Sequence, residues 1–126
     1  MSTVLIVDDY ASFRVQARAV LEAGGHVVVG EATDGRSGID LALALAPEVV
    51  LLDIGLPDID GFEVARWLAE APAAPAVVLT SSRDAAEYGP RVTESPAVGF
   101  IAKDELSGSA VAELVARARP TPQVAR

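Results

Sequence analysis

Four uninterrupted apolar runs punctuate the chain, at residues 4–7, 49–52, 77–79 and 99–102, and a polar or charged residue follows each at once. Runs of Val, Ile and Leu without polar alternation predict strands buried on both faces, hence a parallel sheet covered by helices above and below. Residues 26–30 supply one further strand, second along the chain. Between the strands the apolar spacing changes to three and four. Residues 11–22 place Phe13, Ala17, Val20 and Leu21 on one helical face, and Gly24-Gly25 ends that helix. Asp34-Gly35 reads as a turn, after which Ile39, Ala42, Leu43 and Ala46 line a second helix that Pro47 stops. Residues 55–61 form a loop rich in turn formers, and a third helix over 61–70 carries Phe62, Ala65 and Leu68 at core spacing. Pro72 and Pro75 bracket the next connection, and Val111, Leu114, Val115 and Ala118 mark a last helix. Residues 81–98 are the least regular. Gly89-Pro90 and Ser95-Pro96 interrupt them, which predicts a short or distorted fourth helix. Five strands alternating with five helices make a doubly wound α/β fold with right-handed crossovers.

The residues that close the strands carry the chemistry. Strand one runs into Asp8 and Asp9, strand three into Asp53, strand four into Thr80 and strand five into Lys103. In open α/β sheets ligands gather outside the carboxyl ends of the strands, so these side chains share one edge. In the flavodoxin-like order 2-1-3-4-5, strands one and three flank the switch point, and Asp8, Asp9 and Asp53 become neighbours. Three carboxylates so close repel one another and raise each other's pKa values unless a cation enters. A hard divalent ion such as magnesium, bound through oxygen, resolves the conflict. Lys103 offers a point charge and Thr80 a hydroxyl to a phosphoryl oxygen. An aspartate beside a metal and a lysine can act as a nucleophile towards phosphorus. The pattern predicts a magnesium and phosphoryl site.

Composition narrows the setting. At 126 residues the chain suits one domain, and its net charge of −8 argues against a nucleic-acid surface. It has no cysteine, which removes disulfides, thiolate metal sites and thiol nucleophiles and fits a reducing cytoplasm. No apolar stretch is long enough to span a membrane, and the start lacks a signal-peptide pattern. The sole histidine, His26, begins a strand away from the acids and reads as structural. Trp67 and Tyr88 read as packing or half-exposed residues, Asp58 and Asp60 as turn formers, and Tyr10 as shading the acid pocket.

Five motifs in order, Leu5-Ile6-Val7-Asp8-Asp9, Leu51-Leu52-Asp53-Ile54, Leu56-Pro57-Asp58-Ile59-Asp60-Gly61, Leu79-Thr80-Ser81 and Phe100-Ile101-Ala102-Lys103, together resemble a receiver domain of a bacterial two-component response regulator. The likeness covers roughly residues 3–118. It implies that Asp53 accepts a phosphoryl group from the phosphohistidine of a sensor kinase or phosphotransfer protein. It further implies that Asp9 ligates magnesium directly, Asp8 mostly through a water, and Gly55 through its backbone carbonyl. Lys103 would pair with the phosphoryl group, Thr80 would move to hydrogen-bond it, and Phe100 would swing inward as the domain switches. Ser81 would be the small residue beside the phosphate. The switching surface would comprise the fourth helix, fifth strand and fifth helix, controlling an output domain or partner protein, with homodimer formation a possible response to phosphorylation.

Some positions depart from the family pattern. Asp104 follows Lys103 where many receivers carry proline after a cis bond. A cis bond before a non-proline residue costs about 2.5–4 kcal/mol, so a trans bond is expected. Gly55 and Ser82, small residues flanking the pocket, leave room for an attacking water. Other classes fit less well. A haloacid-dehalogenase-type phosphohydrolase needs a second aspartate two residues after the nucleophile, where this chain has Gly55. A flavodoxin-like cofactor module needs a hydroxyl-rich phosphate loop after strand one, where this chain has Asp8-Asp9-Tyr10. One domain over residues 1–119 is expected, with residues 120–126 a C-terminal tail or the start of a linker.

Overall fold

The computed structural model describes residues 2–118. The expected domain end at residue 119 and the tail over 120–126 lie outside the described residues. Strands β1 (Thr3–Val7), β2 (Val27–Ala32), β3 (Val49–Asp53), β4 (Ala76–Ser81) and β5 (Gly99–Ala102) form one parallel sheet in the order β2-β1-β3-β4-β5. Helices α1 (Ala11–Ala23), α2 (Gly35–Leu45), α3 (Gly61–Ala69), α4 (Arg91–Glu94) and α5 (Gly108–Ala118) complete the doubly wound fold.

Alternate residues of β1, β3 and β4 serve opposite cores, which is why those runs are apolar throughout, whereas the edge strands β2 and β5 are only partly buried. On one face Val4, Ile6, Val49, Leu51 and Val78 meet Phe13, Ala17 and Leu21 of α1 and Val111 and Val115 of α5. On the other, Leu5, Val7, Val50, Leu52 and Leu79 meet Ala42 of α2 and Phe62, Ala65 and Leu68 of α3. β3 lies at the centre with all five residues buried. Burying one such Leu or Val contributes about 1.5–3 kcal/mol.

Two local readings change and one holds. Asp34 is the N-cap of α2, with its side chain accepting from the Ser37 N–H at 2.8 Å, so the helix starts where a turn was expected. Leu43 and Ala46 face outward, and the buried side of α2 is Gly35, Gly38 and Ala42. The reason is close packing: a Cβ on Gly38 would lie 2.8 Å from Val7 Cγ1, so α2 approaches the sheet on its smallest residues and rotates Leu43 away. The predicted break in the fourth helix is present as a 3-10 turn, Ala85–Tyr88, followed by a single turn of α4. Gly89, at φ 62, separates them.

His26 lies just ahead of β2 and not in it, and is buried, its Nε2 lying 2.9 Å from the Gly108 carbonyl and tying the end of α1 to the start of α5. Among the described residues no helix is long and apolar enough to cross a membrane.

Candidate functional site

The order of strands delivers the acids to one place. Val7 is the partner of Leu52, so Asp8 leaves β1 beside Asp53 at the end of β3. Asp53 is itself the register partner of Thr80 on β4. Carboxylate oxygens of Asp8, Asp9 and Asp53 all lie within 4.8 Å of one another. Asp8 and Asp53 are buried, whereas Asp9 stands at the solvent side. The first residue of α3 is pressed against this edge: a Cβ on Gly61 would sit 2.5 Å from the Asp53 carbonyl oxygen. Glycine therefore lets the helix start directly on the backbone that carries Asp53.

Lys103 brings the balancing charge. Its Nζ lies 2.8 Å from Asp8 Oδ2, an ion pair without hydrogen-bond alignment, and 3.9 Å from Asp53 Oδ2. The same ammonium stands 4.5 Å from the Phe13 ring centroid and 5.0 Å from that of Tyr10, so two aromatic faces also favour its charge. Tyr10 is well exposed, and its backbone N–H donates to Asp8 Oδ1 at 2.8 Å. The peptide bond after Lys103 is trans, as expected, and residues Lys103–Glu105 form a 3-10 turn.

Burial pushes the Asp53 carboxyl up to about 6, and the negative charge of Asp8 adds to the rise. Lys103 and the Gly55 N–H, which donates to Asp53 Oδ1 at 3.3 Å, pull the other way. Three carboxylates and one ammonium leave an excess of negative charge in a largely dry corner. Every donor there is a hard oxygen, which suits a cation of the magnesium type. Thr80 Oγ1 is fully buried beside this group and has no hydrogen-bond partner. A buried hydroxyl left alone costs about 1–3 kcal/mol, so it is poised to gain an acceptor. Phe100 is half-buried and packs against Tyr88, ring centroids 6.4 Å apart.

Some supporting residues are not evident from the motifs. Arg14 donates to the Asp8 carbonyl at 2.7 Å and to Glu31 Oε1 at 3.2 Å, pinning the acid loop to the end of β2. Asp58 accepts the Gly35 and Arg36 N–H groups at 2.7 and 2.9 Å, binding the β3–α3 loop to the start of α2. Those backbone donors hold the Asp58 carboxyl below its ordinary value. Asp60 caps α3 by accepting from Phe62 N–H at 2.7 Å. The Asp60-x-x-Glu63 spacing is an N-cap signal; Asp58 has none, since its partners lie more than twenty residues upstream.

The chain matches the family model for the response regulator receiver domain over residues 4–117. A protein-glutamate methylesterase/protein-glutamine glutaminase of Anaeromyxobacter dehalogenans is 41% identical over 108 residues, covering 85% of this chain and 31% of that protein. The transcriptional regulatory protein PdtaR of Mycobacterium tuberculosis is 36% identical over 102 residues, covering 79% of this chain and 48% of PdtaR. The chain therefore spans about half or less of the length of these curated relatives. Among solved structures, the signal receiver domain of NarL from Mycobacterium tuberculosis aligns with TM-score 0.84 at 31% identity, covering 94% of this chain and 98% of that one. The response regulator domain of Thermotoga maritima CheB aligns with TM-score 0.77 at 26% identity, covering 92% and 94%. The chain belongs to the receiver domain family of two-component response regulators. Such a domain is a signalling phosphoacceptor.

Proposed function

We propose that Asp53 is the phosphoacceptor of this chain, taking its phosphoryl group from a phosphohistidine of a sensor kinase or phosphotransfer protein. The observation that carries the reading is the convergence of Asp8, Asp9, Asp53 and Lys103, with Asp53 both buried and crowded by like charge. In the transfer a carboxylate oxygen of Asp53 forms the new O–P bond as the N–P bond breaks, and the imidazole nitrogen keeps the bonding pair. Lys103, already 3.9 Å from Asp53, exchanges part of its pairing with Asp8 for a phosphoryl oxygen. Thr80 gives its unpartnered hydroxyl to another.

Asp8, Asp9 and Asp53, with the Gly55 carbonyl, would hold a magnesium ion. Bound there, it would supply positive charge to the acceptor and to the phosphoryl oxygens. The all-oxygen donor set and the excess negative charge fit that ion. Phe100 is the aromatic that responds on β5, and the α4, β5 and α5 surface carries the output to an effector domain or protein, with homodimer formation one way to read it. We assign this exchange to the cytoplasm. The receiver unit is residues 1–119. The chain itself binds neither nucleic acid nor membrane.

Intact mass after incubation with acetyl phosphate tests the acceptor. A magnesium-dependent gain of one phosphoryl group is expected, and Asp53→Asn abolishes it while retaining a cooperative unfolding transition. Acid-labile phosphate retained on the variant would place the acceptor elsewhere.

A further inference from the structure

Thr80 and Ser81 at the end of β4 and Ser82 just past it are three consecutive hydroxyl residues with three different fates. Ser82 is exposed. Thr80 is fully buried and unpartnered. Ser81 is buried and engaged twice: its Oγ accepts the Arg83 N–H at 3.0 Å and lies 2.7 Å from the Tyr88 hydroxyl. That separation is typical of a well-made hydroxyl–hydroxyl bond. Tyr88 closes the 3-10 turn, and its ring packs edge-on against Phe62, centroids 5.8 Å apart, while Phe100 lies 6.4 Å away on its other contact. One side chain thus touches the end of β4 through its hydroxyl, and α3 and β5 through its ring.

We propose that Tyr88 is a latch: its bond to Ser81 holds the 85–94 segment against the sheet while Asp53 is unmodified, and phosphorylation of Asp53 releases it. The proposal rests on the acceptor reading of Asp53. Thr80 sits opposite Asp53 in the register of the sheet, so a phosphoryl group there meets the unpartnered hydroxyl. On this proposal the new bond draws the end of β4 towards Asp53, and Ser81 moves with its neighbour. A hydroxyl pair at 2.7 Å has little slack, because by about 3.6 Å the bond no longer exists. The freed ring opens space beside Phe100, the β5 aromatic of the switching surface.

Little else holds this segment. No residue from 85 to 94 is buried. Its further anchors are Arg91, paired with Asp60 at 2.8 Å and lying over the Phe62 ring at 4.3 Å, and Val92, packed on the core. Where contacts are so few, losing one shifts the local opening equilibrium measurably.

Tyr88→Phe removes the hydroxyl and keeps the ring between Phe62 and Phe100; Ser81→Ala removes its partner. Amide hydrogen exchange over 85–94 is compared in these variants, their double variant and the unaltered chain, with and without beryllofluoride and magnesium. In the unmodified state each single variant should speed exchange about threefold to tenfold, the weight of one net hydrogen bond, and the double variant no more than either. Beryllofluoride should raise the unaltered chain to a comparable level and add little to Tyr88→Phe. The latch is overturned if both variants exchange like the unaltered chain, or if beryllofluoride accelerates exchange by the same factor on top of them. Acetyl phosphate uptake by Tyr88→Phe, measured in parallel, separates the two readings. Failure of the latch leaves uptake intact, whereas failure of the acceptor reading removes uptake from the unaltered chain as well.

Discussion

β3 buries every one of its residues at the centre of the sheet, while the stretch from Ala85 to Glu94, which connects β4 to β5, buries none. The first region fixes Asp53 through strand register, a glycine contact and two cores. The second is held by the hydroxyl and ring of Tyr88, an arginine and one half-buried valine. The difference matches what the proposed roles would ask of each. Phosphoryl transfer rewards groups already in place, so the acceptor belongs on the most rigid element. A readout must change between two arrangements of similar free energy, so it is drawn from the least stable one.

A matched pair of truncations tests that contrast most severely. Val50 and Val92 contribute to the same core cluster, and Val→Ala removes the same atoms at each. Val50, fully buried in β3, should cost about 2–3 kcal/mol in urea unfolding from lost transfer energy and the cavity left behind. Val92→Ala should cost under about 1 kcal/mol and act mainly on local exchange in α4. Equal losses would mean that the 85–94 segment unfolds with the core and cannot serve as a separate readout.

The next effect belongs to Asp53, the proposed acceptor. An unhindered aspartate titrates at 3.8, and burial with the Asp8 charge moves Asp53 to about 6. Between those values the folded chain holds the proton more tightly than the unfolded one, so this group favours folding below about pH 4. That contribution is lost as pH rises through about 6. In magnesium-free buffer the loss should approach, and not exceed, about 3 kcal/mol. Urea unfolding from pH 4 to 7 in EDTA, on the unaltered chain and on Asp53→Asn, isolates it, since the difference reports Asp53 with its coupling to Asp8 and Asp9. Parallel profiles would show that the acceptor is not held in a dry, crowded site.

A smaller effect sits at the junction of the two regions. Thr80→Val removes the buried unpartnered hydroxyl and keeps a β-branched shape suited to a strand. Stability of the unmodified protein should rise by about 1 kcal/mol by thermal or urea unfolding. The variant should still accept a phosphoryl group, yet exchange over 85–94 should no longer respond to it. A loss of stability would mean that the hydroxyl has a use in the unmodified state.

This division also explains what could be read in the sequence. β1, β3 and β4 were legible because two-sided burial leaves unbroken apolar runs; β5 shows the same run although, at the sheet edge, only Ile101 is buried; and Asp8, Asp9, Asp53, Thr80 and Lys103 stood out because each closes such a run. Leu43 was misplaced because its spacing suits a core face, while the packing of α2 is decided by Gly38 meeting Val7 across the fold. Phe13 reads as core and is core, but nothing local tells that Lys103 will lie over its ring. Tyr88 and Arg91 were obscure for the same reason: Ser81, Phe62 and Asp60 give them their roles, and those partners are set by tertiary contact.

The smallest effect probes how Arg91 holds α4. Its guanidinium has two partners, the Asp60 carboxylate at 2.8 Å and the buried Phe62 ring at 4.3 Å, and both Arg91 and Asp60 are well exposed. Exposed ion pairs contribute about 0–1 kcal/mol and fade in salt. A cation over an aromatic face contributes about 0.5–1 kcal/mol at an exposed site. Asp60→Asn separates the two, because asparagine still caps α3 through its side-chain oxygen but no longer carries the charge. If the ring contact dominates, Asp60→Asn should be nearly neutral, and Arg91→Gln should lower stability by under about 1 kcal/mol at both 0.15 M and 1 M salt. If the ion pair dominates, both variants should lose similar amounts at low salt and nothing at 1 M. A cost of several kcal/mol for Arg91→Gln would break the contrast outright, because a segment anchored that firmly would be part of the rigid half and not of the readout.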